Sequence, residues 1–263
     1  MEMREGGLDE AIRAAGGIGA LARSLGISQP AVSTWQRVPA ERVLSVEALT
    51  GVSRSVLRPD LYPMSDTSSP AAEVDEVDLL RSHEYGLLAL LFGRAPTAEV
   101  LERVRQLKGD ASPLGLAHIH LADLAGELDP DAISREYFDL FVGVGRGELL
   151  PYGSYYLTGF LHERPLARLR EDLAKLGIER IEEQREPEDH IAIVCEIMAG
   201  LAARRFDNEP GADAPFFDKH LKPWAARFFA DCETARHARF YKAAGAVGRL
   251  FMEIEAEAFA MDA

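Results

Sequence analysis

Two short stretches gather the side chains best suited to recognising a ligand. The first, REYFDLFVGVGRGELLPYGSYY (residues 135–156), sets Tyr137, Leu140 and Phe141 at i, i+3, i+4, one face of a helix. Gly143, Gly145 and Gly147 then end that helix, and Pro151, Tyr152, Ser154 and Tyr155 lead into the next, with Ser154 placed to cap it. The second, REPEDHIAIVCEIMAGLAARRF (residues 185–206), crowds Glu186, Glu188 and Asp189 into a predicted first helical turn, where carboxylates favour the helix dipole. His190 follows Glu186 by four residues, within ion-pair reach. An aromatic wall with an acidic end would suit a peptide that is cationic at one end and apolar along the rest, because guanidinium pairs with carboxylate bidentately. The same residues read equally as core aromatics and a well-capped helix start.

Chemistry that makes or breaks bonds finds little support. His118 and His120 are two apart on a predicted helix and point to different sides, and His190, His220 and His237 are isolated. No HExxH or CxxC metal spacing occurs, and no G-x-S-x-G elbow. Asp189 beside His190 could pass a proton, but nothing in the sequence supplies a nucleophile. The GxGxG of residues 143–147 is not the dinucleotide fingerprint, and no GxxxxGK[ST] phosphate loop is present. The expectation is a binding protein with no catalytic residue and no metal.

The elements that would carry these residues are helical throughout. From Val74 onward, Ala-, Leu-, Glu- and Arg-rich stretches recur at helical spacing without period-two alternation. Eight helices are predicted, near 75–93, 97–108, 113–127, 131–142, 153–176, 188–206, 214–232 and 234–258, with Asp129-Pro130 opening one and Gly177 closing another. They would form a bundle. Cys195 and Cys232 are too few for a disulfide framework and read as small buried hydrophobes. The longest run free of polar side chains, Tyr85–Gly93, falls far short of the roughly 20 residues of a membrane span. The acidic N-terminus lacks the apolar core of a signal peptide. No membrane insertion and a cytoplasmic location are expected.

Residues 1–63 hold seven arginines, no lysine and seven acidic residues, so the remainder carries the whole net charge of -14. An acidic body repels nucleic acid and attracts basic peptides. The division recurs in the organisation: a head over 1–62, a Ser/Pro-rich linker over 63–75 (PMSDTSSPAA at its start), and a body over 76–263.

Within the head, IGALARSLGISQPAVSTWQR (residues 18–37) fits a helix-turn-helix. Ala22 is small where two helices cross, Gly26 supplies a positive-φ turn, Ser28 can cap, and Pro30 falls in the first turn of the next helix. With Pro39, Glu41, Arg42, Thr50, Gly51 and Leu57-Arg58-Pro59-Asp60, the stretch resembles the Cro-like (YdaS-type) antitoxin family of phage and bacterial regulators. The resemblance implies DNA binding through residues 1–62, with Gln29, Ser33, Thr34 and Arg37 on the exposed face of the recognition helix. Such side chains read base edges or phosphates. Arg37, Arg42, Arg54 and Arg58 would have to cluster to give this neutral head a basic face.

The body, through Tyr137-x-x-Leu140-Phe141, Leu150-Pro151-Tyr152-x-Ser154-Tyr155-Tyr156 and Glu186-Pro187-x-Asp189-His190, resembles the TorD/NarJ-type chaperones that mature molybdenum oxidoreductases. HERPLARLREDLAKLGIE and FYKAAGAVGRLFMEIEAEAF look similar to the branch associated with formate dehydrogenases. The implied fold class is all-α, a small helix-turn-helix domain followed by a TorD-like helical bundle. The implied partners are a molybdoenzyme catalytic subunit and its twin-arginine signal peptide, bound at Tyr137, Leu140, Phe141, Pro151, Tyr152, Ser154, Tyr155, Glu186, Asp189 and His190. Asp189 and Glu186 would take the arginines, and His190 would orient Glu186 or contact the peptide backbone. No tightly bound cofactor is implied, although some members handle the molybdenum cofactor (molybdopterin guanine dinucleotide) or GTP transiently. The head departs from the family pattern, whose members begin directly with the bundle. The competing reading is a transcriptional regulator whose helical body senses a client or ligand.

Overall fold

The structure, a computed structural model, describes residues 6–62, 74–179, 186–206 and 209–261. The chain divides into two compact units, residues 1–73 and 74–263. The Ser/Pro-rich stretch read as a linker lies, over residues 63–73, outside the described residues.

The first unit contains α1 (Gly6–Ala14), α2 (Ile18–Leu25), α3 (Gln29–Ser33), a 3-10 turn at Ala40–Arg42, α4 (Val43–Thr50) and α5 (Arg54–Leu57). Gly26 ends α2 at φ 68°, and the Ser28 hydroxyl accepts the Ala31 N–H at 3.4 Å to open α3, with Pro30 in its first turn. Leu21, Ala22 and Val32 close the α2–α3 corner, and Leu8, Ala11, Val43, Val46 and Leu57 form the adjoining core. Both clusters share Ile12, Leu25 and Trp35 at their edges.

The second unit contains α6 (Glu76–Gly93), α7 (Ala98–Val104), α8 (Pro113–Glu127), α9 (Pro130–Tyr137), a π-helical turn at Phe138–Val142, α10 (Gly153–Thr158), α11 (Arg164–Lys175), α12 (Ile191–Ala202), α13 (Asp213–His220), α14 (Ala225–Thr234) and α15 (Phe240–Met261). Side-chain caps from Asp75, Thr97, Ser112 and Asp129 open α6 to α9 in turn. Every residue of α12 except Ile193 and Glu196 is buried, and α12 packs on α6 while α15 packs on α14 and α8. Cys195 and Cys232 are buried, free thiols in this core. Beside it Arg81 reaches from α6 to Glu255 on α15 (2.8 Å) and Asp213 on α13 (2.9 Å), and Tyr85 donates to the same Glu255. No helix among the described residues is long and apolar enough to cross a membrane.

Among the described residues of this unit ten helices stand where the sequence predicts eight, because two predicted helices are each broken in two. The stretch 153–176 is interrupted at Gly159, whose φ of 83° ends α10, and α11 restarts with Pro165 in its first turn. The stretch 214–232 is interrupted at Lys222-Pro223, where proline cannot continue the hydrogen-bond ladder of α13. The helix predicted from residue 188 begins only at Ile191. Pro187 to His190 form a turn instead, with the His190 N–H on the Pro187 carbonyl at 3.0 Å.

Candidate functional site

One half of the site is built by the π-helical turn that ends α9. The Gly143 N–H reaches back five residues to the Phe138 carbonyl at 2.7 Å, widening the helix by one residue, and Gly143 leaves it at φ 62°. Tyr137 and Phe141 lie with ring centroids 5.2 Å apart, and both pack against Tyr241 of α15. Phe141 also meets Phe92 at the end of α6. Both rings remain half-buried, whereas Leu140 is wholly buried in the core. Behind them the Glu136 carboxylate accepts the N–H groups of Arg239, Phe240 and Tyr241, so it caps α15 from α9.

The other half is a backbone clamp. Tyr152 and His190 form an antiparallel bridge, flanked by Gly153 N–H to Asp189 carbonyl (2.9 Å) and Ile191 N–H to Pro151 carbonyl (2.8 Å). The Asp189 carboxylate accepts the Ser154 N–H at 2.7 Å and is 3% exposed. Ser154, read from sequence as a cap, therefore lies inside α10 and receives its cap from Asp189. Asp189 Oδ1 and Ser154 Oγ are buried without a protein partner. The His190 Nδ1 accepts the Ala192 N–H at 3.2 Å and so caps α12, and its ring stands edge-on to Tyr152. Burial lowers the His190 pKa to about 4, against the opposing pull of Glu186 and Asp189. Glu188 binds Arg170 at 2.8 Å, fastening the same turn to α11.

The two halves meet at Glu186. The Tyr152 hydroxyl donates to the Glu186 carboxylate at 2.5 Å, and burial followed by this contact raises the Tyr152 pKa. Tyr137 is pushed up to about 12, by burial first and then by the charge of Glu186. Tyr137, Phe141 and Tyr152 thus give the site half-buried aromatic rings, and Glu186, held by Tyr152, gives it an exposed carboxylate. Leu140, Pro151, Ser154, Asp189 and His190 are the buried framework of the site and do not line it. The expectation that His190 orients Glu186 is corrected: Tyr152 holds that carboxylate, and the His190 ring is engaged in capping α12. Tyr155 pairs with Arg146, accepting from its guanidinium at 2.8 Å. Sequence reasoning missed Glu136 and also Glu148, whose carboxylate takes the Arg236 N–H (2.6 Å) and His237. Their only sequence signal is an acidic residue at each edge of the aromatic stretch.

In the first unit Gln29, Ser33, Thr34 and Arg37 are all exposed. The Gln29 amide oxygen and the Arg23 guanidinium both lie over Gly19, so Arg23, not singled out from sequence, joins that surface. Of the arginines expected to cluster, Arg37, Arg54 and Arg58 are each engaged by an acidic residue. Arg58 is buried on Asp60 and the Val38 carbonyl, Arg37 also meets Asp60, and Arg54 is bound to Glu47.

Comparison with known proteins matches residues 107–230 to the family described as nitrate reductase delta subunit. The match contains the π-helical turn, α10 and the whole Glu186–His190 clamp. Over this stretch the body of the chain is similar to the TorD/NarJ-type chaperones. Relatives of this TorD/NarJ-type body include the chaperone protein TorD of Vibrio cholerae serotype O1, 27% identical over 195 residues (69% of this chain, 82% of the relative). That of Vibrio atlanticus is 25% identical over 200 residues, covering 67% and 93%. That of Shewanella loihica is 24% identical over 214 residues, covering 73% and 98%. A solved structure described as a candidate redox enzyme maturation protein from Archaeoglobus fulgidus aligns at TM-score 0.49 and 24% identity, over 66% of this chain and 94% of that one. Residues 8–65 match the family described as bacterial toxin YdaS, which sets the YdaS-type head before the TorD/NarJ-type bundle.

Proposed function

We propose that this redox-enzyme maturation chaperone binds the catalytic subunit of a molybdenum oxidoreductase in the cytoplasm, through its twin-arginine signal peptide, and assists cofactor insertion. The observation that carries the reading is the Glu186 carboxylate, oriented by Tyr152 and near enough to act on Tyr137, whose half-buried ring packs beside Phe141. A fixed carboxylate beside an aromatic wall matches guanidinium groups followed by an apolar stretch. The acidic body speeds encounter with so basic a peptide. Asp189 acts from behind, as the buried residue that holds α10 to the clamp. The resemblance of residues 162–179 and 240–259 favours a formate dehydrogenase as client. The site is acidic and does not fit the polyphosphate of molybdopterin guanine dinucleotide or GTP, so no step here runs through either.

The test is binding of a labelled synthetic twin-arginine peptide to the full chain. Glu186→Gln should weaken binding about tenfold, and replacing both peptide arginines by lysine should weaken it further on the wild type than on the variant. Equal losses on both would show that Glu186 does not meet the arginines. Recovery of an unrelated protein, and of no molybdenum oxidoreductase, in pull-downs would exclude the client class.

A second reading, DNA recognition by the head, draws on the exposed group of Gln29, Ser33, Thr34 and Arg37, with Arg23 beside Gln29. On that reading a regulator would report client load to a promoter. Arg23→Ala and Arg37→Ala should each lower affinity for an operator fragment and flatten its salt dependence. A head showing no salt-dependent shift on genomic fragments ends this reading.

A further inference from the structure

The glycine-rich run GVGRG (residues 143–147) follows the π-helical turn and carries one charged side chain, Arg146. Its backbone is fixed. Gly143 and Gly145 take φ 62° and φ 91°, conformations that suit glycine. A side-chain carbon at Gly143 would run into the Arg146 carbonyl, and one at Gly147 into the Leu140 carbonyl. The next two residues are bonded back to the turn. The Glu148 N–H donates to the Asp139 carbonyl at 3.1 Å, and the Leu149 N–H to the Leu140 carbonyl at 2.8 Å. The loop therefore holds the Arg146 backbone at a set place while its side chain stays exposed.

The guanidinium does not use that freedom to reach a carboxylate. It donates to the Tyr155 hydroxyl at 2.8 Å, with its central carbon 5.4 Å from the centroid of the same ring. Among the described residues Arg146 makes no ion pair, although residues 64–263 carry the whole net charge of -14. Tyr155 lies one turn of α10 from Tyr152, the residue that holds Glu186. A guanidinium on a tyrosine, close to a held carboxylate, is the chemistry by which an arginine-bearing peptide would be recognised here. Arg146 already supplies it from within the chain.

We propose that Arg146 is an autoinhibitory residue, whose guanidinium covers Tyr155 until an arginine of the incoming peptide displaces it. This rests on the reading that Glu186 receives the client's arginines. The loop backbone stays in place and only the side chain swings out, so displacement gives up one hydrogen bond and one ring contact at an exposed position. The peptide's guanidinium then makes the same two contacts. Like is exchanged for like, so the contact with Tyr155 adds little net affinity. Because Arg146 stays tethered beside its ring, it also competes for Tyr155 whenever the peptide loosens, and so hastens release of the client.

The experiment measures binding of a fluorescein-labelled synthetic peptide, two arginines followed by a leucine-alanine stretch, to the full chain. Arg146→Ala, at an exposed position that leaves the core intact, should bind it about threefold more tightly than wild type. The gain should lie in slower dissociation, read by stopped flow. In a Tyr155→Leu background the same substitution should change nothing. Unchanged or weaker binding by Arg146→Ala would overturn the inference. So would a gain that survives in Tyr155→Leu, or one confined to faster association, because removing a repelling charge does both without any competition for the ring. Weakening by Glu186→Gln with Arg146→Ala neutral defeats this inference alone. Tightening by Arg146→Ala with Glu186→Gln neutral defeats the reading of Glu186 alone. A peptide that binds none of these forms overturns both.

Discussion

At the scale of single residues, His190 couples the clamp to pH. Its folded pKa of about 4 lies below the ordinary 6.5, so the unfolded chain takes up the proton first. The stability that depends on neutral His190 is complete above about pH 6.5 and is lost as pH falls towards 4. The loss amounts to at most about 3 kcal/mol. Asparagine can still cap α12 but does not titrate. His190→Asn should therefore lose less stability than wild type in urea titrations followed by Trp224 fluorescence between about pH 7 and about pH 4. His118, raised by its bond to Glu84, acts with the opposite sign and cancels in the comparison. A parallel decline in both proteins would show that His190 titrates in the folded chain as it does in the unfolded one. What the sequence disclosed at this scale was residue type more than role. The side chains of Tyr137, Phe141, Tyr152 and Glu186 could be picked out because aromatics and carboxylates were clustered. The burial of Asp189 could not, since it depends on the chain returning 35 residues later to bond Ser154.

At the scale of elements, helix periodicity revealed where helices lie but not where they stop. Gly159 and Pro223 are single residues inside long apolar patterns, and the pattern continues across both. The turn before α12 was hidden because Glu188 and Asp189 suit a first helical turn as well as they suit a clamp. The π-helical turn has no sequence mark at all, because Tyr137, Leu140 and Phe141 keep ordinary α spacing. The capping of α15 was equally invisible, since Glu136 is 103 residues from the first N–H it accepts. That cap makes its own prediction. Glu136→Ala leaves three N–H groups without their carboxylate and should cost about 2 kcal/mol by urea denaturation. A cost near zero would mean that water replaces the cap. Gly159→Ala, forced to φ 83°, should cost about 1 kcal/mol in the same assay.

At the scale of the whole molecule, the charge split between the first 63 residues and the rest was readable from composition, and so was the helical class. The Ser/Pro content of residues 63–72 leads to the expectation that limited proteolysis cuts there first and leaves a body of about 190 residues. Resistance at that stretch, with cuts elsewhere first, would contradict it. One feature of the body reaches further. The helix α15 has 22 residues and is held near both ends by carboxylate contacts: Glu136 from α9 at its start, and its own Glu255 on Arg81 of α6 near its finish. Between those fixings lie about 20 Å of rigid helix. Such a rod transmits torque. A peptide that turns the aromatic rings of α9 would twist α15 and load the Arg81 anchorage at the far end. Hydrogen exchange on peptide addition should then slow at the amides around Glu255 as well as at the clamp, and Glu136→Ala should abolish the distant half of that response while sparing the near half.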